Sequence, residues 1–120
     1  MAKVLLVGYI REFQEAEKNV LHAAGYQVTT ALTLEAAHRA INQETFDVAL
    51  LGYSVPSQER NQLAARLKQA NPAAKIIMIY FGSTSNTEQA DALVPTTATA
   101  QEVLRAVDHL LNNRDQSKTG

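Results

Sequence analysis

Few side chains in this chain combine reactivity with a useful spacing. None of its 120 residues is cysteine, which excludes disulfides, thiolate metal sites and cysteine nucleophiles. His22, His38 and His109 fall in three separate helical segments, and no pair has the i, i+4 spacing of a metal site. They read as solvated surface positions. Ser54, Ser57 and the Ser83–Ser85 stretch have no histidine-and-acid arrangement that would make a nucleophile. Turn and cap roles account for them. The run Gly82-Ser83-Thr84-Ser85 matches a phosphate loop in composition only, without its lysine or its spacing. Glu12 and Glu59 both stand at helix starts, where the macrodipole gives an acid a structural use. The segment Asp47-Val-Ala-Leu-Leu-Gly52-Tyr-Ser-Val-Pro56 is more informative. It is a buried strand running into a tight turn, and the residue at its end has no side chain.

Composition narrows the function classes further. Eleven Lys+Arg against twelve Asp+Glu leave a formal charge of −1, with no block of like charges. The chain therefore carries no basic footprint for nucleic acid and no polybasic patch for a membrane surface. No apolar run approaches the roughly 18 residues of a bilayer span. Met1-Ala2-Lys3 passes straight into an apolar strand and reads as native structure, not as a signal peptide. The absence of cysteine fits a cytoplasmic protein. One domain is expected over 1–111, with a polar tail over 112–120.

The elements that must position these residues follow from the hydrophobic pattern. Lys3–Val7 is a continuous apolar run stopping at Gly8, the pattern of a strand buried on both faces in a parallel sheet. A helix from Arg11 presents Phe13, Ala16, Val20 and Ala24 on one face, and Gly25 closes it as a left-handed cap. Gln27–Ala31 is a β-branched strand. Thr33 caps a helix through Gln43 with Leu34, Ala37 and Ile41 inward. Asp47–Leu51 is the third strand, and Ser57 is expected to cap a helix carrying Leu63, Leu67 and Ala70. Lys75–Tyr80 is the most hydrophobic strand and Leu93-Val94 a short fifth. Thr99-Ala-Gln-Glu102 is a capping box opening the last helix, which buries Val103, Val107 and Leu110.

This alternation predicts an α/β fold: a doubly wound, five-stranded parallel sheet of flavodoxin-like order with helices on both faces. Ligands in such sheets bind beyond the carboxyl ends of the strands. The residues at those ends include Gly8, Tyr9, Gly52, Tyr53, Tyr80, Phe81 and Thr96, with no carboxylate, histidine or lysine among them.

In KVLLV, the Ala-Ala-Gly-Tyr26 helix end, Phe46-Asp-Val-Ala-Leu-Leu followed by Pro56, Lys-Ile-Ile-Met-Ile79 and the closing helix, the chain resembles the receiver domain of two-component response regulators over nearly its whole length. The resemblance implies a bacterial signalling module. It also implies where the family's phosphorylation machinery would lie. The two magnesium-binding acids fall at Gly8 and Tyr9, the phosphorylated aspartate at Gly52, the switch hydroxyl at Tyr80 and the phosphate-pairing lysine at Thr96. The proline after that lysine falls at Thr97. Only Tyr80 keeps a hydroxyl, and Mg²⁺ needs oxygen ligands that these positions do not supply. No metal or cofactor is therefore expected.

A second departure is length. Between Tyr80 and Leu93 lie twelve residues, fewer than the family pattern holds. They leave room for a loop and at most one or two helical turns over Thr87–Asp91, a shortened fourth helix.

These features lead to a degenerate receiver-like module that is not an enzyme and not a phosphoacceptor. It is expected to act on an unidentified signalling protein, with a homodimer through the last helix or the fourth connection also open. Tyr9, Tyr53 and Tyr80 are expected to fill the space left by acids, metal and water, ring inward and hydroxyl to solvent. The alternative is a small-ligand sensor whose pocket is lined by Tyr9, Tyr53, Tyr80 and Phe81.

Overall fold

The computed structural model describes residues 2–84 and 86–119, with side chains described through Asn112. In chain order the elements are β1 (Lys3–Val7), α1 (Arg11–Ala23), β2 (Gln27–Ala31), α2 (Leu34–Gln43), β3 (Val48–Leu51), α3 (Ser57–Ala70), β4 (Lys75–Tyr80), β5 (Ala92–Pro95) and α4 (Ala100–Thr119). All strand pairs are parallel and the sheet order is β2-β1-β3-β4-β5. The direction of winding reverses between β1 and β3, so Gly8 and Gly52 lie at the switch point.

Successive side chains of a strand point to opposite faces, and the core divides accordingly. Leu5, Val7, Ala49, Leu51, Ile76 and Met78 pack with Ala37, Ile41, Leu63 and Leu67 of α2 and α3. Val4, Leu6, Val48, Leu50, Ile77 and Ile79 pack with Leu21, Val103 and Val107 of α1 and α4. Both faces of the central strands are covered, which is why their sequences run apolar without alternation.

Several helix ends follow the expected chemistry. Gly25 has φ +99, with Tyr26 N–H donating to Leu21 O at 3.2 Å and Gly25 N–H to His22 O at 3.0 Å, a Schellman end to α1. Thr33 Oγ1 accepts from Ala36 N–H at 3.0 Å. Thr99 and Glu102 exchange hydrogen bonds at 3.0 and 3.2 Å across the start of α4.

Three expectations are corrected. Ser57 does not cap α3; the cap position is Pro56, with no side-chain bond, and Ser57 is the first helical residue. Ala70 is exposed, and Arg60 is buried on that face instead. On α1 the inward residues are Gln14 and Leu21, with Phe13, Ala16 and Ala24 exposed. A helix with apolar residues spread around its circumference does not declare which face turns inward. Here a glutamine supplies what the strand ends require.

Between β4 and β5 the described residues contain no helix. The shortened fourth helix comes down to one turn, closed by Ala90 N–H on Thr87 O at 3.0 Å. Asp91 fastens this connection: its carboxylate accepts from Ile76 N–H at 2.7 Å and pairs with Lys68 at 3.0 Å. At the other end of the chain, α4 carries its backbone through the polar segment expected as a tail. Side chains of 113–119, Gly120, and Ser85 of the serine loop lie outside the described residues.

Candidate functional site

The carboxyl ends of β1 and β3 meet at two glycines. Gly52 N–H donates to Val7 O at 2.8 Å. A Cβ built on Gly52 would stand 3.1 Å from that same oxygen and 3.5 Å from Gly8 Cα. A Cβ on Gly8 would stand 3.3 Å from Gln14 Nε2. The Gln14 side chain thus occupies the ground toward which a side chain at position 8 would project. It is 7% exposed, and its amide donates to Gly8 O at 3.1 Å, Ala31 O at 3.2 Å and Leu6 O at 3.4 Å. One neutral amide collects carbonyls at the ends of two strands, Ala31 O also accepting Gly8 N–H at 3.1 Å. Sequence reasoning missed Gln14. Its signal was a single polar residue four positions into a helix, indistinguishable from a solvated one.

Around this junction opens a cleft of about 450 Å³. Leu6, Ile10, Leu50, Ile79 and Ala98 give it apolar walls, and Glu12, Gln14, Glu17, Ser54 and Thr96 give it polar points. Burial pushes the Glu17 carboxyl up from 4.5 to about 7. Over the rim runs a ladder of rings: Phe13 to Tyr53 at 5.7 Å between centroids, and Tyr53 to Phe81 at 5.8 Å. Phe81 is 74% exposed and Phe13 54%. Exposed aromatics in tilted contact form an apolar surface that water solvates poorly.

Three of the four aromatic residues expected to share a pocket, Tyr53, Tyr80 and Phe81, line one hollow together, and Tyr9 stands apart. Tyr53 and Phe81 do border the cleft. Tyr9 borders neither hollow; it packs against the core beneath α2 and α3. Its hydroxyl turns to protein, donating to Glu59 Oε1 at 2.6 Å, and its N–H donates to Ser54 Oγ at 2.9 Å. That contact and burial raise the Tyr9 pKa well above the ordinary phenol value, burial being the larger cause. Glu59 is thereby given a structural partner. Tyr80 lines a second hollow of about 320 Å³ with Ser57, Arg60 and Asn86. The expectation that all three tyrosines fill one space with their hydroxyls to solvent is corrected: Tyr9 packs ring inward but gives its hydroxyl to Glu59, Tyr53 borders the open cleft, Tyr80 lines the second hollow, and the position beside Gly8 is filled by Gln14. Thr96 lies at the cleft, its N–H donating to Tyr80 O at 2.9 Å.

Among the described residues no group of three or more His, Cys, Asp or Glu is placed to hold a metal ion, and no helix is long and apolar enough to cross a membrane. No histidine lines either hollow.

No family model matches the chain, and a search of curated proteins finds no match. Solved structures do match. A CheY-like response regulator receiver domain from Methanospirillum hungatei superposes with a TM-score of 0.84 at 25% identity, covering 100% of this chain and 99% of that one. The response regulator TrrA from Thermotoga maritima, solved with Mg²⁺-BeF, gives 0.76 at 23% identity over 92% of this chain and 99% of its own. A receiver domain from Clostridium thermocellum gives 0.81 at 18% identity over 97% and 98%. The strand order, the helices on both faces and this end-to-end superposition show that the chain has the fold of the response regulator receiver domains.

Proposed function

We propose that the chain is a receiver-fold signalling module that acts by protein–protein interaction, without aspartyl phosphorylation, inside the cytoplasm of a bacterium. The observation that carries this reading is the junction of β1 and β3. Two glycines and a buried glutamine whose amide donates to backbone carbonyls stand there, where a phosphoacceptor and a divalent cation would need several carboxylates. A phosphorylation switch requires a charge that two conformations hold with different affinity. At Gly8, Tyr9, Gly52 and Thr96 no side chain can accept a phosphoryl group on a carboxylate or pair with it through an ammonium. The exposed ladder of Phe13, Tyr53 and Phe81 supports interaction as the output, since aromatic anchors dominate partner recognition.

The test is a ¹H–¹⁵N spectrum of the protein with beryllofluoride, recorded with and without Mg²⁺. The expected result is no Mg²⁺-dependent shift at Gly8, Tyr9 or Gly52. A Mg²⁺-dependent two-state change there would refute the reading. A second reading, a small-ligand sensor, is favoured by one observation: the cleft beneath the aromatic ladder is open and lined mostly by apolar side chains. Saturable shifts at Leu50, Ile79 and Ala98 with a small apolar compound would move the balance toward it.

A further inference from the structure

Near the start of α3 lies a cation without an anion. Arg60 is 8% exposed. Its Nη2 donates to Ser57 Oγ at 3.3 Å, its Nη1 reaches Ile79 O only at 3.5 Å, and its Nε has no partner. Neither of the carboxylate ion pairs Lys3–Glu44 and Lys68–Asp91 involves Arg60. A guanidinium stays protonated at any ordinary pH. Burial lowers its pKa, and the cost of removing that charge from water is left without the compensation that an anion gives.

The surroundings match an anion. Arg60 lines the 320 Å³ hollow together with Ser57, Tyr80, Ser83 and Asn86, with Tyr53 and Phe81 at its border. Ser57, Tyr80 and Asn86 can each donate a hydrogen bond, and no carboxylate lines the space. Ser57 Oγ accepts from Arg60, which leaves its own proton to give. The helix α3 begins here with no side-chain cap, so its first amides and the positive end of its dipole favour negative charge. Glu59, in the same turn, does not border the hollow and accepts from Tyr9.

We propose that this hollow is an oxyanion site that takes a phosphate group, free or at the head of a small phosphate ester, held by Arg60, Ser57 and the start of α3. Several donors converging on one small space suit a tetrahedral dianion. Binding is reversible, forms no covalent bond and needs no divalent cation. The site therefore goes beyond the phosphorylation-independent reading and is tested apart from it.

The experiment is an NMR titration of the full chain with potassium phosphate at constant ionic strength, repeated with glycerol phosphate and with succinate. The expected result is saturable, Mg²⁺-independent shifts at Ser57–Arg60 and Tyr80–Ser83. Glycerol phosphate should add shifts at Tyr53 and Phe81 if an ester is the better ligand. No saturation, shifts scattered over exposed lysines, or saturation by succinate but not phosphate would each overturn the proposal. In Arg60→Met, which keeps the stem and removes the charge, phosphate affinity should fall about tenfold or more. Its thermal midpoint without phosphate should be unchanged or higher, and the phosphate-induced rise should vanish. Affinity held within about twofold overturns the proposal. Should that variant fail to fold, Ser57→Ala must weaken phosphate binding several-fold in its place, and unchanged affinity there is equally decisive.

Discussion

Gly52 is defined by one oxygen. Val7 O accepts its N–H at 2.8 Å and would stand 3.1 Å from any Cβ placed there. Restoring an acid by Gly52→Asp should therefore cost about 1–2 kcal/mol of stability, because a backbone carbonyl yields less readily than a side chain. It should also fail to restore Mg²⁺-dependent phosphorylation, since Gly8 and Tyr9 still offer no ligands. Urea unfolding and radiolabel incorporation check the two halves. Glu17 makes a separate claim about pH. Its folded carboxyl titrates near 7 against 4.5 ordinarily, because burial disfavours the charged form. The folded state then holds a proton that the unfolded chain has released. The associated stability is complete below about 4.5 and is lost as pH rises through about 7. Glu17→Gln should flatten that decline and gain about 1 kcal/mol at pH 8, a figure reduced for the partial exposure of the side chain. Denaturation midpoints across pH 4–8 decide it.

At the scale of elements, α1 shows what sequence reading reaches and where it stops. The end of this helix was legible: an Ala-Ala-Gly-Tyr26 sequence leaves glycine at a position where φ is +99, which other residues adopt only at a cost. Its buried face was not. Phe13 and Val20 advertise an apolar stripe, yet Gln14 and Leu21 turn inward. The carbonyls at the ends of β1 and β2 need a donor, and that demand exists only once the strands are paired. Gln14→Leu should therefore cost about 1–3 kcal/mol despite being more apolar, through the bonds lost at Gly8 O and Leu6 O, while Ala31 O keeps Gly8 N–H. A lowered urea midpoint with an unchanged slope is the expected observation. For α3, a polar arginine among Leu63, Ala64 and Leu67 looks solvent-facing in sequence. Its burial arises from the packing of β4 against the helix start, which no local pattern encodes. The short connection from β4 to β5 was legible from length alone. Asp91 then holds it with both Ile76 N–H and Lys68.

Over the whole molecule, the doubly wound order followed from the alternation of apolar runs and amphipathic helices, and the sheet order β2-β1-β3-β4-β5 agrees with it. The placement of aromatics at its carboxyl edge followed from the same reading, since strand ends are fixed by strand lengths. Their arrangement did not, because whether a ring turns toward the core or the rim depends on neighbours from other elements. Tyr9 turned inward to Glu59, while Phe13, which belongs to no strand end, completed the exposed ladder. If that ladder is the interaction surface, Phe81→Ala should change stability by less than about 0.5 kcal/mol, its ring being 74% exposed. The same variant should abolish partner or self-association in sedimentation. The central claim, a receiver fold whose reactive junction is replaced by Gly8, Gln14 and Gly52, is tested most directly by intact mass. The protein is incubated with acetyl phosphate and Mg²⁺ and weighed. An unchanged mass is expected; a stoichiometric, Mg²⁺-dependent gain of one phosphoryl group would contradict the account.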